Sequence, residues 1–240
     1  MIKSIIFDLD NTLYDYDAGN DHGMKAAWKY FCLHNYHLKE KEFIDLYNQA
    51  RSEVHRELGG TASSHGREIY FQRLLEKTNG TIEAEMILGL YDAYWKAFLA
   101  KAKIFPGVLD LLKFLHQQKV KTAVVSNMTL RIQLIRIKQL KIGRYLDVLV
   151  TSEESGREKP HPSPFLLALN KLDCLAEECL VVGDNIRDDT EGGIALGCKT
   201  LLIDRRDSYS SGGDKNFKPD LKVNKISELK GKWTEIIKLF

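Results

Sequence analysis

The sequence predicts an α/β protein whose core is a parallel β-sheet, interrupted early by an inserted α-helical domain. From about residue 104 onward, short apolar segments alternate with amphipathic helical segments, which is typical of crossover units on a parallel sheet. Before that, from residue 24 to about residue 100, apolar and aromatic side chains follow helical spacing and no segment has the pattern of a strand. We therefore predict a core formed by residues 1–14 and 104–240, and a helical domain formed by residues 15–103.

Five parallel strands are predicted in the core, and helices separate the strands that follow the insertion. The first strand begins at Ile5 and runs into the acidic stretch at Asp8 and Asp10. A further short strand over 223–226 and a helix from Ser227 close the chain. The other predicted strands are 121–127, 148–151, 179–184 and 200–204, the predicted helices between them include 108–119, 130–141 and 164–172, and the polar segment 206–215 is predicted as a surface loop.

The helical domain is predicted to follow a polar loop over residues 14–23, where Gly, Asn and Asp favour turns. Two Gly-containing breaks at 59–60 and 79–80 divide the domain into separate helices. Its last helix is predicted over 82–99 and carries a stripe of aromatic residues. Such a stripe indicates a packed core rather than a ligand site.

The composition is that of a globular protein without an acidic polymer as partner. The 240-residue chain is 44% hydrophobic and 28% charged, and both values are ordinary. Its 35 Lys and Arg residues and 33 Asp and Glu residues are interspersed and give a formal net charge of +2. We therefore expect no nucleic acid partner. Because the apolar runs are far shorter than the ~20 residues of a membrane-spanning helix, we also expect no membrane partner.

The N-terminus and the cysteines favour a cytoplasmic protein. The chain begins directly with the first predicted strand, without the basic segment, apolar segment and cleavage site of a secretory signal. The cysteines are scattered and form no Cys-x-x-Cys pair that would indicate zinc or a redox dithiol. They are Cys32, Cys174, Cys179 and Cys198. We expect reduced thiols and a cytoplasmic location.

The first strand carries the most informative residues, because it ends in Asp8 and Asp10, followed by Asn11 and Thr12. Residues two apart on a strand point to the same side, so strand geometry kept as far as Asp10 puts both carboxylates together. A hard divalent cation such as Mg²⁺ would relieve their repulsion. Asp8 is then the candidate nucleophile and Asp10 the candidate acid and base. Taken alone, the same residues are as typical of a strand end that leads into a turn.

The second strand ends in Ser126-Asn127, where the chain turns into a helix. A hydroxyl, an amide and the backbone N–H groups at a helix start can hold phosphate oxygens. Taken alone, however, Ser and Asn are also the usual residues that cap a helix.

Lys159 lies in a segment, 158–165, in which three prolines alternate with other residues. The prolines fix an extended approach to the next helix, with Ser163 as the expected cap and Pro164 at the first helical position. A fixed ammonium group there would neutralise both a carboxylate nucleophile and the phosphoryl group that it attacks. A solvated lysine before a helix is the alternative, and His161 is assigned no role.

The strand over 179–184 ends in Gly183-Asp184, with Asp188 and Asp189 close behind. Gly183 permits close approach of the backbone, and Asp184 can complete an oxygen-rich metal site. One of Asp188 and Asp189 is expected to cap the following helix, and the other to hold metal-bound water or Lys159. Four strand ends of one predicted sheet therefore carry the residue types that a phosphoryl-transfer site requires.

In this combination the motifs resemble those of the haloacid dehalogenase-like superfamily. The resemblance covers essentially the whole chain, and the helical insertion is similar to the α-helical cap of subfamily I in that superfamily. It implies a Rossmann-like parallel sheet core with a helical cap. The matching residues, in chain order, are Asp8, Asp10 and Thr12, then Ser126-Asn127, then Lys159-Pro160, then Gly183-Asp184 with Asp189 five positions on.

The resemblance also implies an activity and a cofactor. Asp8 would attack phosphorus to form an aspartyl-phosphate, and Asp10 would protonate the leaving oxygen and later deprotonate water. Mg²⁺ would be held by Asp8, Asp184 and the backbone carbonyl of Asp10. Asp189 matches the second acidic position of the last motif, and Asp188 remains its alternative. The residues implied to support the nucleophile and the phosphoryl oxygens are Thr12, Ser126, Asn127 and Lys159.

Other activities of the same superfamily stay open. Dehalogenases need a carboxylate and a lysine but neither a metal nor a second acid, so Asp10 and Asp184 favour phosphate ester hydrolysis. Phosphomutases keep both acids. A signalling protein that accepts phosphate on Asp8 without turnover is a further alternative, although receiver domains lack a long helical insertion. The expected partner is a small phosphate ester, either a sugar phosphate or a nucleoside monophosphate, and the sequence leaves the oligomeric state open.

Overall fold

The computed structural model describes residues 1–80, 82–205 and 217–240 of the chain. The chain forms two compact units. The core unit comprises Met1–Asp15 and Ile104–Phe240, and the helical unit comprises Tyr16–Lys103.

The core unit is built on one parallel sheet. Its strands are β1 (Ser4–Phe7), β2 (Lys121–Ser126), β3 (Val148–Thr151), β4 (Cys179–Gly183), β5 (Lys199–Ile203) and β6 (Leu221–Val223). Within the described ranges, these six strands lie in the order β3-β2-β1-β4-β5-β6, and all neighbours are parallel. The α/β class predicted from the sequence is therefore confirmed.

Helices flank the sheet, and four long helices make up most of the described part of the second unit. Those of the helical unit are α1 (Tyr16–Leu33), α2 (Glu40–Leu58), α3 (Arg67–Asn79) and α4 (Ala84–Lys101). Those of the core unit are α5 (Val108–Gln117), α6 (Leu130–Leu140), α7 (Ser152–Ser155), α8 (Pro162–Leu172), α9 (Gly192–Ala195), α10 (Glu228–Gly231) and α11 (Trp233–Ile237). A π-helical segment, Ile186–Glu191, leads from β4 into α9.

The central strands are apolar on both sides because a parallel sheet of this kind is covered on both faces. All four residues of β1 are buried. Ile6 of β1 and Val181 of β4 belong to a buried cluster with Phe165 of α8. This packing holds the ends of the central strands in a fixed place, which is what a site built on those ends needs.

The strand order reverses beside β1. Strands β2 and β3 lie on one side of β1, and β4, β5 and β6 lie on the other, so the chain crosses β1 between β3 and β4. The register aligns Phe7 with Val124 of β2 and with Val182 of β4. The carboxyl ends of these three strands therefore meet at one edge, which is where open α/β sheets bind ligands.

In the helical unit, α1 and α4 approach closely because glycines face aromatic rings. A Cβ atom on Gly19 would lie 2.9 Å from the ring of Phe98, and one on Gly23 would lie 2.7 Å from the ring of Tyr94. The predicted loop over 14–23 is therefore wrong from the start of α1 onward, because these glycines serve contact between helices rather than a turn. The predicted breaks at 59–60 and 79–80 coincide with the ends of α2 and α3.

Further element boundaries also differ from the predictions. The final strand is β6 rather than 223–226, since apolar Leu221 and Val223 alternate there around Lys222, and the helix predicted after it is divided into α10 and α11. Helix α8 begins at Pro162, where His161 Nδ1 accepts the backbone N–H of Ser163 at 3.1 Å. His161 is therefore the cap in place of Ser163, because an imidazole nitrogen can accept as a hydroxyl does.

Two other predictions concerned a surface loop over 206–215 and the lack of a membrane-spanning helix. The loop predicted over 206–215 lies outside the described residues. Within the described residues, no helix has the combined length and apolar character that crossing a membrane requires.

Candidate active site

Lys159 is buried between two carboxylates at the carboxyl ends of β1 and β4. Its Nζ donates to Oδ1 of Asp8 at 2.7 Å and to Oδ1 of Asp189 at 2.6 Å. Asp8 directly follows β1, and its backbone N–H donates to the carbonyl of Val182 at 2.9 Å. Because the side chain of Lys159 is only 3% exposed, both ion pairs are shielded from water. The fold thus brings Asp8 and Lys159 into direct contact.

Asp184 joins Asp8 and Asp189 in a three-carboxylate cluster. One carboxylate oxygen from each residue lies within 4.8 Å of the other two. Oδ2 of Asp8 is buried and has no hydrogen-bond partner among the described residues, although buried polar atoms normally have one. A hard cation that binds oxygen ligands would satisfy this atom and offset the repulsion within the cluster. The residues present therefore fit a divalent cation such as Mg²⁺.

The charge states of the cluster follow from burial and from Lys159. Burial raises the pKa of Asp8 to about 7, against the opposing effect of Lys159. Burial, and then the nearby Asp8, raises the pKa of Asp184 to about 7, and burial raises that of Asp189 to about 6. Burial also disfavours the ammonium form of Lys159, but Asp189 and Asp8 outweigh it and raise the pKa of Lys159. A bound cation would favour the ionised carboxylates.

Gly183 is what allows Asp189 to reach Lys159. A Cβ atom on residue 183 would lie only 2.0 Å from Oδ2 of Asp189. That oxygen accepts the backbone N–H of Asn185 at 3.1 Å, which fixes the carboxylate in place. The neighbouring Asp188 instead accepts from the side chain of Asn185 at 3.3 Å. Asp189, rather than Asp188, is therefore the residue that belongs to the three-carboxylate cluster.

The cap of the segment after β4 is Asn185. Its Oδ1 accepts the backbone N–H groups of Arg187 and Asp188 at 3.0 and 3.1 Å. The expectation that Asp188 or Asp189 caps this segment is therefore wrong. An Asn directly after the strand satisfies the first free N–H groups and leaves Asp189 available for Lys159.

Thr12 and Asn127 contact other residues of the site. The hydroxyl of Thr12 donates to Oδ1 of Asp184 at 3.3 Å. The amide of Asn127 makes two hydrogen bonds to the backbone of Lys159: it accepts from the N–H at 2.7 Å and donates to the carbonyl at 3.2 Å. In this structure Asn127 thus positions Lys159, and Thr12 positions Asp184.

Asp10 faces a different set of partners. Its Oδ1 accepts from the hydroxyl of Tyr14 and from the guanidinium of Arg136. Its Oδ2 accepts from Nε2 of Gln133 at 3.3 Å, and the same nitrogen donates to Oγ of Ser126 at 2.6 Å. Strand β1 ends at Phe7, so the strand geometry predicted as far as Asp10 does not extend to it, and the side chain of Asp10 contacts these residues instead of belonging to the three-carboxylate cluster. A metal ligand from Asp10 would be its backbone carbonyl, as the resemblance implies.

Sequence reasoning missed Tyr14, Gln133 and Arg136. Tyr14 lay inside the predicted loop, and the other two lay unremarked inside a predicted helix. Gln133 and Arg136 are one turn apart on the buried face of α6, which otherwise carries apolar residues. Two polar side chains within the apolar face of a helix that follows a site strand could have indicated them, because buried polar groups require partners.

The parallel sheet and the acidic cluster at its reversal point define an α/β protein with a carboxylate-based candidate site. The chain belongs to the haloacid dehalogenase-like hydrolases, because the model of that family matches residues 2–197.

The chain is also similar to two named relatives and to one solved structure. The chain is 40% identical to the ribulose-1,5-bisphosphate 5-phosphatase of Halopiger xanaduensis over 85% of each chain. It is 30% identical to the glyceraldehyde 3-phosphate phosphatase of Methanopyrus kandleri over 95% of this chain and 96% of the relative. A 2-haloacid dehalogenase from Pseudomonas syringae superposes with a TM-score of 0.74 at 21% identity, covering 98% of this chain and all of the other. This last likeness shows the shared fold.

Proposed function

We propose that this chain is a Mg²⁺-dependent phosphatase that hydrolyses a small phosphorylated metabolite through an aspartyl-phosphate on Asp8. The observation that carries the proposal is the contact between Lys159 and Asp8, 2.7 Å from nitrogen to oxygen, beside a cluster of three carboxylates. A buried ammonium next to a carboxylate nucleophile offsets the charge of both the nucleophile and the phosphoryl group.

The general class of enzyme has wider support. The chain is a phosphoric monoester hydrolase, since it belongs to a hydrolase family and its relatives are phosphatases. Both relatives named above act on phosphorylated sugars, according to their names. A sugar phosphate is therefore the substrate class that we propose first for this chain, ahead of a nucleoside monophosphate.

The proposed reaction has two steps on the residues of this chain. In the first, a carboxylate oxygen of Asp8 forms a bond to phosphorus while the bond to the leaving oxygen breaks, and Asp10 supplies a proton to that oxygen. In the second, Asp10 takes a proton from water, which attacks phosphorus, releases phosphate and regenerates the Asp8 carboxylate. Lys159 stabilises the charge in both steps.

The proposed Mg²⁺ site lies at the three-carboxylate cluster. Asp8, Asp184 and the backbone carbonyl of Asp10 would hold Mg²⁺, with Asp189 as the neighbouring carboxylate. When bound, Mg²⁺ would neutralise charge on the phosphoryl oxygens. A dehalogenase needs no such cluster, so the three carboxylates within 4.8 Å of one another favour the phosphatase.

We also propose that the helical domain, residues 15–103, acts as a cap that excludes water and selects the leaving group. Caps of this kind supply specificity in enzymes whose chemistry is held by a separate core. The packing of α1 against α4, including the contact between the rings of Tyr16 and Phe98, gives this unit a core of its own.

Phosphate release from a panel of phosphate esters tests the function. With Mg²⁺, the wild-type protein should turn over many times on sugar phosphates and on an aryl phosphate, and Asp8→Asn should abolish turnover while retaining the fold. EDTA should remove activity and Mg²⁺ should restore it. Release of a single equivalent would identify a phospho-acceptor, and metal-independent halide release from a 2-haloacid would identify a dehalogenase.

A further inference from the structure

Gln133 lies between Asp10, the candidate acid and base, and Ser126, a candidate ligand of the phosphoryl group. Its side chain is fully buried on α6. A single nitrogen, Nε2, donates to Oγ of Ser126 at 2.6 Å and approaches Oδ2 of Asp10 at 3.3 Å. An amide nitrogen has two hydrogens, so both are used, one on each partner.

Asp10 decides which way the amide faces. The nitrogen of the amide, and not its oxygen, faces Oδ2 of Asp10 at 3.3 Å, and only the nitrogen can donate to a carboxylate oxygen. Arg136 and Tyr14 donate to the other oxygen, Oδ1, so Oδ2, which faces Gln133, is the oxygen through which Asp10 would exchange its proton. The orientation of Gln133 is therefore imposed by its neighbours.

The orientation of Gln133 in turn decides what Ser126 can do. Oγ of Ser126 accepts from Nε2 of Gln133 and from the backbone N–H of Met128 at 3.2 Å. These two bonds occupy both lone pairs of the hydroxyl oxygen. Among the described residues, no acceptor takes the hydroxyl hydrogen of Ser126. Ser126 is therefore set as a donor, which is the role that an anionic oxygen requires.

Ser126 also lies where a phosphoryl group would bind. It is the last residue of β2, and β2 pairs with β1 so that Val124 aligns with Phe7. The end of β2 is therefore beside Asp8, the proposed nucleophile, at the same edge of the sheet. The hydroxyl is almost fully buried, so its free hydrogen is shielded from bulk water.

We infer that Gln133 is a positioning residue that fixes Ser126 as a hydrogen-bond donor to the substrate phosphoryl group and ties it to Asp10. The inference rests on the proposed phosphatase function and adds to it a residue outside the four motifs. Gln133 acts on the phosphoryl group only through Ser126 and Asp10, and its contact with a reacting group is the hydrogen bond to Oδ2 of Asp10.

The structure also provides a way to separate this role from a role in stability. Oε1 of Gln133 is buried and has no hydrogen-bond partner among the described residues. Gln133→Leu removes that unpaired oxygen, but it also leaves Oγ of Ser126 and Oδ2 of Asp10 without the hydrogen bonds that Gln133 donates, which lowers stability. Its activity is therefore compared with that of the wild type at a temperature at which thermal melts show both proteins fully folded, and it should still be lost there. Gln133→Glu keeps the shape of the side chain but replaces the donor with an acceptor, so it should lose at least as much activity.

The test is a double-mutant cycle on Gln133→Leu and Ser126→Ala, read as kcat/KM for a phosphate ester. Each single variant should lower kcat/KM by about tenfold or more, as expected for a hydrogen bond to a charged group. The double variant should fall by clearly less than the product of the two losses, because the residues act through one another. Arg131→Met removes an exposed side chain from the same helix and should match the wild type.

A second readout keeps the inference separate from the proposed function. The same proteins are titrated calorimetrically with inorganic phosphate in the presence of Mg²⁺, which reports the Ser126 donor without turnover. Coupled losses in phosphate binding support the pair even if the wild type proves inactive, in which case only the phosphatase assignment fails. Additive losses in both readouts, or a Gln133→Glu variant with wild-type activity and phosphate binding, would overturn the inference.

Discussion

Lys159 and Asp8 are 151 positions apart in the chain, yet Nζ of Lys159 lies 2.7 Å from Oδ1 of Asp8. The sheet makes this contact possible, because Asp8 directly follows β1, while Asn127, directly after β2, holds the backbone of Lys159 by accepting its N–H and donating to its carbonyl. The end of β1 therefore positions Asp8, and the end of the neighbouring strand β2 positions Lys159 through Asn127. The pair is buried, so the attraction between the two charges is much stronger than it would be in water.

Replacing Lys159 tests that relationship. Lys159→Met should lower kcat by at least about 100-fold, since removing one charge-stabilising donor from an active site commonly costs that much. The variant leaves Asp8 and Asp189 buried without the ammonium group of Lys159. Added Mg²⁺ is therefore expected to restore little of the lost activity. The measurement is phosphate release at saturating substrate, together with a thermal melt.

Lys171→Met is the matched control for Lys159→Met. Lys171 is partly exposed and pairs with Glu154 on the surface, where an ion pair contributes little. The activity of Lys171→Met should stay within about twofold of that of the wild type. Equal losses in the two variants would contradict a specific role for Lys159.

Asp188 and Asp189 offer a second matched pair. Asp189→Asn removes one of the two carboxylates that contact Lys159 and should reduce kcat/KM by about tenfold to 100-fold, as for other hydrogen bonds to charged groups. Asp188→Asn changes a residue outside the three-carboxylate cluster and should leave kcat/KM nearly unchanged. A larger loss for Asp188→Asn than for Asp189→Asn would reverse the assignment made from the geometry.

The fold was largely predictable because its strands are short apolar runs with clear boundaries. The strand predicted over 148–151 matches β3, and the five others differ by one to three residues at their ends. The main error, the loop over 14–23, arose because Gly favours turns in general, whereas Gly19 and Gly23 serve helix contact. Whether a glycine ends a helix or packs inside one depends on the partner helix, and a local pattern does not contain that information.

The candidate site was predictable where its residues follow strands and not where they lie on a helix. Asp8, Lys159 and Asp184 stand at strand ends or next to prolines, so their placement follows from local pattern. Gln133 and Arg136 reach Asp10 only through the tertiary packing of α6 within the core unit. Hydrogen-bond partners of this kind depend on tertiary structure, which spacing along the chain does not specify.

Gly183→Ala tests the close approach of Asp189. The new Cβ would lie 2.0 Å from Oδ2 of Asp189, so the carboxylate must move away from Lys159. We expect a loss of about 1–3 kcal/mol in the free energy of unfolding, typical of overpacking a buried position, and a loss of activity similar to that of Asp189→Asn.

Gly231→Ala is the control for the added methyl group at residue 183. A Cβ atom on Gly231 would meet no heavy atom within 4 Å, so urea unfolding and phosphate release should both match the wild type. If Gly183→Ala also unfolds and reacts like the wild type, the backbone can adjust, and the close contact does not determine the position of Asp189.

The dependence of Mg²⁺ binding on pH gives a test that requires no substrate. In the metal-free protein, burial raises the pKa of Asp8 and of Asp184 from 3.8 to about 7. The folded state therefore binds protons more tightly than the unfolded chain across this range, and its stability should fall as pH rises from about 4 to about 7. Mg²⁺ competes with those protons, so it should raise the melting temperature strongly at about pH 8 and hardly at about pH 5. Asp184→Asn should remove most of the gain at the higher pH. A gain in melting temperature that is the same at both pH values would place the bound Mg²⁺ away from these carboxylates.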